Sequence, residues 1–251
     1  GDVKDQYQAY RADSAFQLGV NILNYASAMR AWAKNAAQAM RFVDQPGGSD
    51  SIALAQIQYD GVWKTRHSGL SVLLQTFNKR TGVPVKFAKK ELKLTDPQIF
   101  SVPLMYLTGH EAFTMKPDEI KALRQYLDNG GFLFAEACCG RKGFDESVRK
   151  LMRSVYPRQG MKPVPGNSTL FKEPNLIQNV GVTPGLMQDI GKANMAPVLE
   201  GIILDGHVAM VYSRFGLSGG WEISQSPYSK GYSDLDAIKM GQNILWFSIT
   251  R

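Results

Sequence analysis

From Ser51 to Val155 short apolar runs alternate with amphipathic segments, and this alternation leaves the chain few architectures. Ser51–Tyr59 reads as a strand, Ser68–Lys79 as a helix, Val83–Phe87 as a strand after the Gly82 stop, and Pro103–Leu107 as a third strand. Pro117–Leu127 carries Pro in its first turn and Asn129-Gly130-Gly131 beyond its end, the usual punctuation of a helix. Phe132–Ala137 is again an apolar strand and Phe144–Val155 again a helix. Strands joined by helices of this length run parallel and are covered on both faces, so the spacing predicts an α/β fold with a mainly parallel sheet. After Pro157 the pattern lapses for about forty residues rich in Pro, Gly and Asn, a kind of segment that often forms a lid or binding loop. Leu199–Leu204 and Val208–Tyr212 then flank Asp205-Gly206, a hairpin signal that should lie near one end of the sheet. A closing helix runs from about Asp234 to Ile249.

Ahead of this pattern stands one helix, expected over residues 14–42, with Asp13 and Ser14 as cap candidates and Ile22, Tyr25, Met29, Trp32, Ala36 and Met40 at helical spacing. Gln45-Pro46-Gly47-Gly48-Ser49-Asp50 stops it. Its start echoes the closing helix: Gly19, Asn21, Ile22 and Leu23 align with Gly241, Asn243, Ile244 and Leu245 at one offset, and Tyr10 with Tyr232 at the same offset. Generic helix propensity does not supply a shared Gly and Asn. Residues 1–46 are therefore expected to be the remnant of a preceding copy of the domain formed by residues 47–251. The start at Gly1-Asp2, without Met or apolar leader, fits a trimmed chain. The helix's Phe16, Ile22, Trp32 and Met40 stripe needs cover, so it should pack outside the domain or against another chain, a route to a homo-oligomer.

Composition narrows the function classes. With 44% hydrophobic and 20% charged residues, wholesale disorder is excluded. No apolar run approaches the roughly 20 residues that span a bilayer, so no integral membrane segment is expected. Two cysteines make no disulfide framework. The net charge is +7, and residues 61–100 hold eight basic against two acidic side chains. Residues 64–93 are thus the candidate surface for an anionic partner. Without interleaved aromatics or a nucleic-acid motif, a solvated helix face and a lysine-guarded edge strand explain the same residues.

In an open α/β sheet ligands sit outside the carboxyl ends of the strands. Those ends carry Tyr59, Asp60, Gly61 and nearby Trp63, then Thr108, Gly109, His110 and Glu111, then Glu136, Ala137, Cys138, Cys139 and Gly140. The last run is a strand, a glycine turn and a helix start, which favours a thiolate. Leu107-Thr-Gly-His-Glu-Ala-Phe113, Leu127-Asp-Asn-Gly-Gly-Phe-Leu-Phe-Ala-Glu-Ala-Cys-Cys-Gly140 with Phe144-Asp145, Ile57-Gln-Tyr-Asp-Gly-Val-Trp63 and Val211-Tyr-Ser213 together resemble domain-of-unknown-function family 4159 from about residue 51 to the end. That family is a bacterial branch of the class I glutamine-amidotransferase-like superfamily. The resemblance implies a flavodoxin-like three-layer α/β/α sandwich, and a periplasmic or envelope location. It implies a fold more than an activity.

Class I glutaminases place their nucleophile in Gly-x-Cys-x-Gly and add a later His-x-Glu. Here Glu136 replaces the first Gly, and His207, the only later His, is followed by Val208 and Ala209. The expectation is a non-catalytic domain binding a small ligand or protein partner at the strand-end cleft, with Tyr59, Asp60, Gly109, Glu111, Cys139 and Gly140 as binding residues. The alternative is a cysteine-dependent hydrolase or amidotransferase using Cys138 as nucleophile, His110 as base and Glu136 or Glu111 as the orienting acid. Several plainer readings stand beside these. Cys138 and Cys139 serve as small buried packing residues or, in an oxidising compartment, as a strained vicinal disulfide. A metal at His110, Cys138 and Glu136 has no spacing motif behind it, so neither metal nor cofactor is expected. His67 reads as a surface or capping residue, and Tyr212, Trp221 and Tyr228 as core or pocket rim.

Overall fold

The carboxyl ends of five parallel strands meet at one edge of the sheet, and the order of those strands sets which loops touch. The computed structural model describes residues 10–43, 51–82, 86–223 and 225–251. In chain order the elements are α1 (Ala12–Val43), β1 (Ser51–Gln58), α2 (Gly69–Thr81), β2 (Lys86–Lys93), β3 (Leu104–Gly109), α3 (Pro117–Asp128), β4 (Phe132–Ala137) and α4 (Lys142–Val155). There follow β5 (Lys162–Pro163), β6 (Val180–Gly181), α5 (Pro184–Ile190), β7 (Asn194–Met195), β8 (Glu200–Leu204), β9 (His207–Ser213), α6 (Ser218–Trp221) and α7 (Asp234–Thr250). The main sheet has the order β2-β1-β3-β4-β9-β8-β5. From β2 to β9 every neighbouring pair is parallel, and β8 and β5 close the far end antiparallel. The molecule is thus α/β with a mostly parallel, mixed sheet.

Alternation along the strands sorts the core into two clusters on opposite faces. Ile57, Leu107, Leu133, Ala135 and Tyr212 join Leu123 and Tyr126 of α3 and Phe144, Val148 and Leu151 of α4. Leu54, Tyr106, Phe132, Phe134 and Val211 join Leu73 and Phe77 of α2, Trp221 of α6 and Met240 and Ile244 of α7. β3 and β4 are buried along their whole length, as continuous apolar runs demand.

Two expectations need correction. The second strand lies at Lys86–Lys93, beyond the expected Val83–Phe87, of which residues 83–85 fall outside the described residues. Lysines disguised it: among the described residues β2 pairs only with β1, and an edge strand carries lysines along its length while burying Phe87 and Leu92. The irregular stretch after Pro157 is no lid. Leu170, Phe171, Ile177, Val180 and Leu186 are buried in the cluster beneath α7, where Asn243 Nδ2 donates to the carbonyls of Leu170 and Asn175. Tyr212 and Trp221 are core, while Tyr228 is 87% exposed. The hairpin is as read, with Asp205 and Gly206 both at positive φ.

Only the second half of α1 is packed. Ala36 and Ala39 are buried and the helix leans on α2, whereas Phe16, Ile22, Leu23 and Tyr25 are exposed. Among the described residues no helix is long and apolar enough to cross a membrane.

Candidate functional site

Strand register brings the site together. β3 and β4 pair Thr108 with Glu136 and Gly109 with Ala137, so the next residues, His110 and Cys138, leave the sheet side by side. His110 Nε2 lies 3.0 Å from Cys138 Sγ. Gly109 is required here, because a Cβ on it would lie 2.2 Å from the Tyr59 hydroxyl and 2.6 Å from the Phe144 ring. That hydroxyl donates to the carbonyls of Thr108 and Val62, which ties the end of β1 to β3. Burial, with Glu111 and Cys138 nearby, pushes the Tyr59 phenol above its ordinary range, so it stays a donor.

The turn after β4 departs from ordinary backbone. Cys139 has φ 58° and ψ 15°, in the left-handed region that a side chain rarely adopts. The surrounding loops hold it there: Lys230 N donates to the Cys139 carbonyl, and a Cβ on Gly216 would lie 2.6 Å from Cys139 N. Gly140 is likewise closed in, with the Lys230 carbonyl 2.5 Å from where its Cβ would be. Adjacent side chains on a strand point to opposite faces. The left-handed residue instead brings the two sulfurs to 3.8 Å.

The two thiols differ in kind. Cys138 is fully buried, receives a contact from Ser218 Oγ at 3.5 Å, and is pushed upward by its bond to Cys139, by burial and by Glu136. Cys139 is half-buried, and Arg66 donates to its sulfur at 3.6 Å. Its pKa falls to about 3, first through the hydrogen bond with Cys138, then through His110, Arg66 and Ser229, against the opposing effect of burial. The hydrogen bond between the sulfurs and the donors around Cys139 thus favour the thiolate form of Cys139 over that of Cys138. Arg66 is anchored by Glu222 at 3.6 Å, and Glu222 also accepts from Ser68 N and Oγ.

Glu136 is fully buried with both oxygens engaged. Oε1 accepts from Tyr106 Oη at 2.6 Å and Thr108 Oγ1 at 3.2 Å, and Oε2 from the backbone N–H groups of Leu217 and Ser218 at 2.6 and 3.1 Å. It braces the loop that carries Ser218 against the sheet.

The fold therefore gathers His110, Cys138 and Cys139, with Glu136 beneath them and Tyr59, Gly109 and Gly140 shaping the ground. Asp60 and Glu111 are exposed at neighbouring strand ends. Asp60 lines a cleft of about 450 Å³ with Tyr59, Trp63, Lys93, Lys116 and Glu119. A larger hollow of about 1030 Å³ lies at the opposite edge of the sheet, by Pro103, Gly131 and His207, away from every strand-end candidate. The imidazole and both thiols lie on the strand-end side. Sequence reasoning missed Arg66 and Ser218. Arg66 stands in the loop just past the first strand, where the surrounding basic stretch masks it. In that stretch Lys64 pairs with Glu91 at 2.5 Å and Lys89 with Glu91 at 3.8 Å.

Residues 53–249 match the family described as "Domain of unknown function (DUF4159)". No curated protein matches the chain. Among solved structures the chain is similar to the "mmIFT52 N-terminal domain", with 14% identity over 79% of this chain and 98% of that one and a TM-score of 0.40. It is also similar to a thua-like protein from Bacteroides uniformis ATCC 8492, with 12% identity over 82% and 92% and a TM-score of 0.33.

Proposed function

The chain belongs to the DUF4159 family, and we propose that its domain is a flavodoxin-like, class I glutamine-amidotransferase-like module that binds a small ligand or protein partner at the strand-end cleft without turning it over. The run β2-β1-β3-β4-β9 supports the fold reading: the chain steps outward from β1 to β2 and returns to β3, so a crevice opens between the ends of β1 and β3. Tyr59 and His110 stand on its two sides. The compartment that goes with this reading is the bacterial periplasm or envelope, which fractionation of the host tests.

The observation that carries the reading is the state of Glu136. A cysteine–histidine mechanism needs a base that accepts the thiol proton and a third group that orients the base. Glu136 spends both oxygens on Tyr106, Thr108, Leu217 and Ser218. Cys138, 3.0 Å from His110, is buried and pushed toward its protonated form, which disfavours it as a nucleophile. Cysteine-dependent hydrolysis is the second reading, favoured by the 3.0 Å contact between His110 and Cys138. Incubating the reduced chain with glutamine and simple esters separates the two. The expected outcome is no ammonia or acid release above that of Cys138→Ala and Cys139→Ala. Turnover that disappears in either variant overturns the binding reading.

A further inference from the structure

We infer that His110, Cys138 and Cys139 form a site for one borderline-soft divalent cation of the zinc type, held by one imidazole nitrogen and two sulfurs. Resting on the binding reading above, this names what the strand-end site holds. The three donor atoms lie within 4.8 Å of one another. Zinc–sulfur bonds of about 2.3 Å at a tetrahedral angle place two sulfurs about 3.8 Å apart. The Cys138 and Cys139 sulfurs are 3.8 Å apart. A nitrogen and a sulfur on the same ion lie about 3.5 Å apart, so the His110 ring has to draw back about half an ångström from Cys138, now at 3.0 Å, and come to the same distance from Cys139, which lies within 4.8 Å.

Two neighbouring cysteines seldom offer both sulfurs to one point, because successive side chains diverge. The left-handed backbone of Cys139 removes that obstacle, and the loops carrying Gly216 and Lys230 fix it before any ion arrives. Charge also balances. Two thiolates and a neutral imidazole neutralise a divalent cation, while Arg66 beside Cys139 is countered by Glu222. Cys138 must lose its proton to the solvent on binding, so uptake releases protons and weakens in acid. Cys138 is buried, while His110 and Cys139 are half-buried. The ion therefore reaches the site from their side and keeps a fourth position there for water, a small ligand or a partner's side chain.

Cobalt(II), titrated into the reduced, metal-free chain, is the probe. The expected result is one equivalent bound, with a near-ultraviolet sulfur-to-cobalt charge-transfer band and visible bands of tetrahedral intensity, all displaced by zinc. Cys139→Ser should lose about half of the charge-transfer band. His110→Ala should weaken binding by more than the roughly 10–100-fold that loss of an outer partner costs. Far-UV circular dichroism checks that both variants are folded, and the wild-type band needs no variant. Absence of that band at one equivalent overturns the site, as does a band unchanged in both variants. Glutamine turnover by the metal-free chain sinks the binding reading and leaves the cobalt result standing, so the two failures are distinct.

Discussion

Glu136 and Cys139 are two side chains whose positions the sequence displays and whose roles it conceals. Both sit at the end of an apolar strand, yet Glu136 depends on partners 28 to 82 residues away and Cys139 on Arg66, 73 residues away, and on Lys230. For Glu136→Gln the amide sets its NH2 against two donors that now meet an oxygen, so stability should fall by about 2–3 kcal/mol. A urea midpoint that falls at unchanged slope would show it; a loss under about 0.5 kcal/mol would mean that the loop is held by something else. The juxtaposition of His110 with Cys138 was legible, because parallel strands ending at one edge deliver their next residues together. The left-handed turn was not, since no propensity marks a cysteine for positive φ. The thiols give a pH signature. Folded Cys139 titrates at about 3 against an ordinary value of 9.0, so between these the unfolded chain holds the extra proton and stability rises with pH. Above about 9 the unfolded chain loses both thiol protons while buried Cys138 keeps its own, and stability turns down. In the reduced, metal-free protein the advantage of wild type over Cys139→Ser should therefore widen from acid toward pH 9. A gap that stays flat across that range would remove the thiolate assignment.

The two helices that resemble each other explain one another. In α7 the shared residues have visible duties. A Cβ on Gly241 would lie 2.7 Å from Leu73 Cδ1 and 2.8 Å from Trp221 Nε1, Asn243 Oδ1 accepts from Asn175 N, and Ile244 and Leu245 are buried. In α1 their counterparts meet nothing of the kind: a Cβ on Gly19 has no atom within 4 Å, and Ile22 and Leu23 are 58% and 69% exposed. Among the described residues, the first half of α1 thus repeats residues that seat α7 but leaves them uncovered. Gly241→Ala should destabilise by about 1–3 kcal/mol through overpacking. Gly19→Ala should stabilise by up to about 1 kcal/mol through helix propensity alone. If α1 closes a second domain of this kind, Gly19→Ala becomes destabilising once that domain is present, and thermal unfolding of the longer protein reads the change of sign. Element identity was legible wherever period and punctuation agreed. It failed at β2, where lysines on an edge strand hid the apolar alternation, and after Pro157, where a segment without periodicity is buried by scattered side chains and capped by one distant asparagine.

At the level of the molecule, the exposed half of α1 bears on what this chain does in solution. Phe16, Ile22, Leu23 and Tyr25 are each at least 58% exposed, and burying such side chains gains about 1.5–3 kcal/mol apiece. Four of them supply a gross gain of about 6–12 kcal/mol. Association of two free molecules costs about 4–15 kcal/mol in lost translational and rotational freedom. The balance lies near zero, which makes a dimer of this chain weak and strongly concentration-dependent. The chain should therefore sediment as a monomer at low micromolar concentration and gain mass as concentration rises. The double variant Ile22→Glu/Leu23→Glu should stay monomeric throughout, with its melting temperature within about 2 °C of wild type, because neither side chain is buried against its own domain. A melting temperature lowered by several degrees more would show that the first half of α1 packs on its own domain, and a mass that rises equally in the variant would place self-association on another surface.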